Sequence, residues 1–518
     1  MKKILFFAST IILSCMVNLH AQSEIPDLSW AKLAKFGAYN QFSQLKPIGA
    51  DAQAVYWYAS ADWALNLWTK SPDCLYKYDI ENQNLLAVKY NCKTPLGKAE
   101  TEFAIEFGED FLFFSSIQDK KLKTHTLYMQ TMNKSTMSLS TKMTKVIELN
   151  YEGESNYRPA LFRYSISPDK SKLLIGYQLL KNGEIIRSGF KVFDTSMNEL
   201  WGDKGIVSGK KERAILHNFV VDNNGVVWFC GTTEQKGNKK SGLLLPEAFV
   251  TMVTETNKEY EAIDIPFPSG NYATDLCVGV SPNNEIYCAG VFSRDKMKNA
   301  LGMFSAKITA DEAPEVTLQE FGIDLITRDW DNGDTKKAQR DIDKGKDYEQ
   351  YDTYVDNIQF LSNGTLLISA KKAYTTVVYV KTTAYYHYHF GDIFFANVRQ
   401  NGSFNWINKV SRDVISVNAA LFGQYQILID HKDNIHLFYN KIASMTMLLQ
   451  MNLMGQTQTL HDVFTPEGKN TETILNLTKN NKIVARPWEV FLFDQNKVVM
   501  SGHKGKKDLT FTTFSIEP

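Results

Sequence analysis

Two histidines stand two residues apart in the stretch AYYHYHFGD, residues 384–392. On an extended strand, residues two apart project to the same side of a sheet. His387 and His389 therefore offer two imidazoles to one point, and Asp392 is a third ligand if the chain bends at Gly391. The same stretch also alternates Tyr385, His387 and His389 against Tyr386, Tyr388 and Phe390, which is how a two-sided strand reads. No other histidine is placed beside the pair, so we assign no metal site. Tyr385 and His387 are kept as candidate residues for stacking against a ligand or partner.

DWDNGD, from Asp329 to Asp334, has the composition of a calcium loop but not its spacing. Counting from Asp329, glycine falls at the fifth position instead of the sixth, and the twelfth is Arg340 instead of glutamate. We read it as a turn opening a charged helix or loop. Trp330 within it either folds back under its own loop or is offered to a sugar or peptide. There is no G-x-S-x-G, no phosphate-binding glycine loop and no zinc-type Cys/His spacing. No catalytic residue and no cofactor is assigned.

These candidates need a scaffold, and a repeat supplies it. FAIEFGEDFLFFSS from 103, FRYSISPDKSKLLIGY from 162 and NFVVDNNGVVWFCG from 218 share one pattern. LCVGVSPNNEIYCAG from 276, NIQFLSNGTLLISA from 357, QILIDHKDNIHLFY from 426 and EVFLFDQNKVVMSG from 489 repeat it. Each is an apolar strand, a turn of Asp, Asn or Gly, and a second apolar strand, hence a tight hairpin. The repeats start at intervals of roughly 55 to 80 residues, and most are followed by two more strand-like runs. Four antiparallel strands per unit, repeated radially, describe an all-β propeller. Seven units are visible over residues 101–518, and the last ends after three strands. Residues 22–100 must then close the ring, and with AQAVYWYAS and a hairpin at 74–92 they hold most of a further blade. Seven blades are slightly preferred to eight.

The turn in SPDKSKLLIGY is similar to the SPDG turn of secreted bacterial β-propeller repeat proteins of the WD40-like or TolB-like kind. The resemblance covers residues 101–518 and points to no single family, since the recurrent WD and GH signatures are absent. It implies a fold and a binding surface, and no activity.

Strands a to d of each blade run outward from the axis. The b–c and d–a connections then share one face of the ring. Two long departures from the repeat fall on that face, at the fourth and fifth units. Residues 323–352 are a d–a connection, and residues 371–384 read as a b–c loop. Long loops on a rigid scaffold are where binding concentrates. Lysines recur in the b–c connections, including Lys120, Lys121, Lys123, Lys371, Lys372 and Lys441. They suit solvated turns, and they also suit a rim for an anionic partner. Trp330, Lys371, Lys372, Tyr385 and His387 are thus the candidate binding residues.

The ends bear on location. Lys2 and Lys3 precede an apolar run from Ile4 to Leu13, and Ala21 is a small-residue cleavage point, so residues 1–21 read as an export signal. Lipidation at Cys15 is the less favoured reading. Lys+Arg and Asp+Glu are both 57, and removing Lys2 and Lys3 leaves 0 − 2 = −2, which argues against a nucleic-acid binder. Outside the cytoplasm disulfides are allowed. Cys74 and Cys92 would face each other across a hairpin and form a candidate bridge. Cys277 and Cys288 are either bridged or two buried thiols. No transmembrane segment is expected. The sequence thus reads as an exported, non-enzymatic interaction protein of the cell envelope, with an envelope protein or an anionic glycan or polymer as partner. The alternative is an enzyme acting on extracellular polymers from a site in the axial channel.

Overall fold

The computed structural model describes residues 28–35, 44–60, 74–90, 93–94, 97–151, 157–181, 184–206, 214–233, 246–256, 261–268, 270–294, 299–309, 312–330, 332–344, 350–380, 383–417, 423–442, 457–477, 482–504 and 508–516. Residues 1–21, where an export signal is expected, and Cys92 lie outside them. Eight antiparallel sheets follow one another along the chain, six of four strands and two of five. They are blade 1 (44–89), blade 2 (100–150), blade 3 (157–206), blade 4 (214–264), blade 5 (272–320), blade 6 (353–410), blade 7 (425–477) and blade 8 (484–515). The seven hairpins of the repeat are the a–b hairpins of blades 2 to 8. The extra blade is the first one, built by Gln44–Ala50, Ala54–Ser60, Cys74–Asp79 and Asn84–Lys89. The eighth blade was the open alternative in the sequence, and it is present.

Blade 8 contributes only Val484–Leu492, Lys497–Lys504 and Asp508–Ser515 from the C-terminal end. Its outer strand is Ala34–Lys35, which pairs with Leu509 and Asp508. Trp30 bridges to Thr512, and Thr510 Oγ1 donates to the Ala31 carbonyl at 2.7 Å. This exchange between the two ends pairs an edge that would otherwise stay open.

The apolar residues do not form one central core. They fall into eight clusters, and each cluster joins two adjacent blades. Eight seams for eight blades mean that the ring is closed, with blade 8 sealed on blade 1 by Trp57, Tyr78, Val499 and Phe511. Alternation explains this: an inner strand buries both faces, one against each neighbouring blade.

The a–b turns share one backbone solution. In blades 3 to 7 the fourth turn residue has positive φ: Lys170, Gly225, Asn284, Gly364 and Asp433. Its N–H donates to the carbonyl of the first turn residue, as from Asp433 to Asp430 at 3.0 Å. This is a type I turn followed by a left-handed residue. Glycine suits that place, yet Asn284 and Asp433 have side chains there for a reason. Asn284 Oδ1 accepts from the Asn223 N–H of blade 4 at 2.8 Å. Asp433 accepts from both the N–H and the hydroxyl of Ser362 in blade 6, at 2.7 and 2.8 Å. The turns thereby lace neighbouring blades together. Asp433→Ala loses both bonds and leaves a β-carbon at positive φ, so it is expected to destabilise by about 2 kcal/mol. Asp433→Gly loses the bonds but relieves the backbone, and should cost about half as much. Urea unfolding of the two variants checks the order.

Cys277 and Cys288 are thiols. Their register is offset by one, Cys277 facing Ala289 and Cys288 facing Val278, so they point to opposite sides of the sheet. Burial pushes both thiols up. The bridge expected from Cys74 to Cys92 lies outside the described residues at its Cys92 end. No helix of the described residues is long and apolar enough to cross a membrane.

Candidate functional site

The inner strands are irregular where they begin, on the d–a face. Strand a of blade 2 shifts register at Glu102, blade 4 at His217, blade 5 at Thr274, blade 6 at Asp356, and blade 8 between Arg486 and Val490. A bulged residue is unpaired in its ladder, and its side chain is re-aimed. The mouth of the ring is therefore set with polar groups: Glu102, His217, Asp275, Asp356 and Glu489. None of these five is among the residues expected from the sequence. A signal existed: aligned on their apolar runs, five repeats carry an ionisable residue one or two positions before the run, at 102, 217, 275, 356 and 489.

Most of these groups are matched locally. His217 Nδ1 meets Asp275 Oδ1 at 2.9 Å, and His217 Nε2 meets Thr232 Oγ1 at 3.2 Å. Asp356 pairs with Lys371. Lys371 and Arg412 both lie over the Tyr425 ring, at 5.8 and 5.3 Å. Glu489 pairs with Arg486 at 2.9 Å, both fully buried. Glu102 is held by a hydroxyl instead: Ser116 Oγ donates to it at 2.5 Å, and His125 Nε2 lies 3.0 Å from Ser116 Oγ. Burial pushes the Glu102 carboxyl up to about 7 and the His125 imidazole down to about 4. Among the described residues no three His, Cys, Asp or Glu side chains are grouped to hold a metal.

The insertion 323–352 contains two helices, α1 (Ile323–Thr327) and α2 (Asn332–Asp343). The calcium-like stretch ends in the first turn of α2, and Asp329 takes positive φ between the helices. Leu325 and Ile326 are buried in the seam between blades 5 and 6, and Phe321 stacks on Phe394 at 4.4 Å. Lys409 fixes the end of α1. Its Nζ is buried and donates to the carbonyls of Ile326 and Arg328 at 2.8 and 3.2 Å. A cation suits the carbonyl-rich end of a helix. Trp330 packs against the same apolar seam, folded back towards the ring.

Residues 371–384 are not a loop. Strands b and c of blade 6, Leu366–Val380 and Thr383–Val398, run on together past their neighbours as a ribbon paired out to Val380 and Thr383. Val414–Val417 adds a third strand alongside His387–Phe390. A strand-length sequence explains the correction: YTTVVYV and TTAYYHYHF are almost wholly β-branched or aromatic, and such residues extend strands. One face carries Tyr374, Thr376, Val378, Tyr385, His387 and His389. The other carries Thr375, Val377, Tyr379, Tyr386 and Tyr388. His389 is engaged within the ribbon, stacked on Tyr374 at 4.3 Å and within 2.9 Å of Thr376 Oγ1. Asp392 sits beyond Gly391 at the base, 3.7 Å from Lys409 Nζ. Imidazoles and carboxylate thus serve different neighbours.

Of the candidate residues, Tyr385 and His387 share one ribbon face. Lys371 is tied to Asp356 at the ribbon's base. The Lys372 side chain lies beside Gly391. Trp330 lies in the insertion, against the seam between blades 5 and 6. The lysine-rich connections are described at Lys120, Lys121 and Lys123, while Lys236, Lys239, Lys240, Lys296, Lys298, Lys381, Lys506 and Lys507 lie outside the described residues.

No family model and no curated protein matches this chain. Among solved structures, it is similar to the WD40 domain of SCAP from fission yeast, at 11% identity and a TM-score of 0.38, covering 93% of this chain and 97% of that one. It is similar to the polysaccharide lyase Uly1, at 12% identity and a TM-score of 0.38, with 91% and 99% covered. The β-propeller domain of the Trilobed protease from Pyrococcus furiosus matches at 11% identity and a TM-score of 0.36, with 85% and 97% covered.

Proposed function

We propose that this chain is an exported, non-enzymatic interaction protein of the cell envelope, whose partner engages the b–c and d–a face at blades 5 and 6. One observation carries the reading. Thirteen large hydrophobic side chains are exposed among the described residues, and seven of them cluster on or beside the ribbon: Tyr351, Tyr354, Tyr374, Val377, Val378, Tyr379 and Tyr386. A concentration of apolar surface at one place on a soluble face marks an interaction site. Tyrosine, apolar in body and polar at its tip, is enriched at such surfaces. The export signal supports the envelope location, and the ordinary charge balance supports a protein surface as partner over nucleic acid.

The enzyme alternative is less well supported. Of the acids named at the mouth, Asp275, Asp356 and Glu489 each have a cationic or imidazole partner, and Glu102 is held by the Ser116 hydroxyl.

Removing the insertion at 325–350 is a poor test, because Leu325, Ile326 and Ala338 are buried. The ribbon can be shortened with strands a to d of blade 6 kept, at the loss of the His387–Val417 pair of its added strand. Thr375 and Tyr388 are directly opposed, so Asn-Gly in place of Thr376–His387 closes a two-residue hairpin. Intact and shortened proteins would be immobilised and challenged with solubilised envelope extract. The intact chain is expected to retain a stoichiometric partner that the shortened chain loses. Equal recovery from both would overturn the assignment to this face.

A further inference from the structure

The ribbon has an edge as well as faces. Strand b of blade 6 pairs with strand a only as far as Lys372, which faces Thr353. A last backbone bond runs from the Ala373 N–H to the Asp352 carbonyl at 2.9 Å. Beyond it, residues 374–380 pair with strand c on one side, and among the described residues no strand pairs with them on the other.

Edges of this kind are normally guarded by a charge, a proline or a bulge. This one is guarded by none of them: YTTVVYV holds no charged residue and no proline, and its ladder is regular from Ala373 to Val380. A strand added here would lie beside Thr376 and Val378 on one face and Thr375, Val377 and Tyr379 on the other. It would need to be uncharged and rich in β-branched and aromatic residues on both faces. The edge strand itself meets that description.

We propose that this edge joins two copies of the chain, strand b of one blade 6 pairing antiparallel with strand b of the other about a two-fold axis at Val377. This rests on the reading of the ribbon as an interaction element. In that register Thr375 faces Tyr379, Thr376 faces Val378, and Val377 faces its own copy. Each is a favourable cross-strand pair, and no like charges meet within the paired stretch. A two-fold interface requires this self-complementarity. The exposed apolar area on and beside the edge sets the ceiling on what such a contact can bury. Tyr379 is 72% exposed, Tyr351 57%, Tyr386 47%, Val378 43%, Val377 42% and Tyr374 41%. At about 250 Å² for a fully exposed tyrosine and less for valine, these side chains hold roughly 700 Å² per copy, or about 1,400 Å² for two. That lies within the range of specific interfaces. The two ribbons would become one continuous six-stranded sheet between the two rings.

The two-fold position makes the test specific. Val377→Lys sets two ammonium groups against each other, and Val377→Asp sets two carboxylates. Sedimentation velocity on the chain from residue 22 onward, up to about 100 μM, should show a dimer for the parent protein and a monomer for each variant. An equimolar mixture of the two variants should restore the dimer. A monomeric parent, a variant that stays dimeric, or a mixture that stays monomeric would each overturn the proposal. Circular dichroism should be the same for all, since Val377 lies outside the ring. Envelope capture on the same variants separates this inference from the functional reading. Capture by a monomeric parent leaves only the functional reading standing, and a dimer that captures nothing leaves only this one.

Discussion

Replacing Glu489 by alanine is expected to remove about 3–5 kcal/mol of stability. Glu489 and Arg486 are both fully buried, 2.9 Å apart, and the guanidinium lies 5.3 Å over Trp488. The carboxylate also accepts from the Leu45 N–H at 2.8 Å and from the Ser501 hydroxyl. Leu45 belongs to blade 1 and Glu489 to blade 8, so one side chain bonds across the seam where the ring closes. Burial pushes Glu489 up and Arg486 down, while each one's charge pulls the other back. Alanine would strip the buried guanidinium of its carboxylate, and also the Leu45 amide of its acceptor. Glu489→Gln keeps an acceptor for Leu45 and should cost less. Arg486→Met with Glu489→Leu removes both charges and should recover much of the loss, because an apolar pair of similar volume needs no desolvation. Urea midpoints at constant slope would read the series. A loss below about 1 kcal/mol for Glu489→Ala would mean that the pair does not hold the seam.

The fold was legible because propeller hairpins are local. SPDKSK, DNNGV and SPNNE each write a turn into five or six residues, and alternation writes the strands on either side. Closure was legible by counting, since blade 8 stops one strand short. Blade 1 was harder to read: Asp51 leads its first turn, but DAQA holds no glycine, proline or asparagine to mark it as a turn. Residues 371–384 were misread because a b–c connection longer than its equivalents was expected to be irregular, although its own residues favour strand. The mouth could not be assembled from spacing. His217 and Asp275 are fifty-eight positions apart, and only the rotation from blade 4 to blade 5 brings them to 2.9 Å. The bulges that aim them need one extra residue in a strand, and an apolar pattern tolerates that without showing it.

Glu102 makes a second test, through pH. Ser116 gives its one hydroxyl proton to the Glu102 carboxyl, so His125 donates from Nε2 to Ser116. The chain runs from a partly exposed carboxyl at the mouth to a buried imidazole, with Tyr58 and Tyr164 crowding the outer end. Burial raises the folded Glu102 to about 7, against 4.5 for the free group. Below about 4.5 the carboxyl is protonated whether the chain is folded or not, and it contributes nothing to the pH dependence. Between about 4.5 and 7 the folded chain keeps a proton that the unfolded chain releases, so stability falls as pH rises. Above about 7 both states are ionised and the loss is complete. At 1.36 kcal/mol per pKa unit, discounted for partial exposure, the loss is about 2 kcal/mol. Glu102→Gln imitates the protonated form and still accepts from Ser116. It should match the parent protein near pH 4.5 and exceed it by about 2 kcal/mol at pH 8. Chemical unfolding of both proteins at the two values reads the difference, and comparing the variant with its parent cancels the buried histidines, which titrate alike in both. A difference independent of pH would show that Glu102 ionises as an ordinary surface acid. If the predicted difference is found, the mouth of the ring gains a negative charge within the neutral range, and a partner resting there would bind more tightly or more weakly across it according to its own charge.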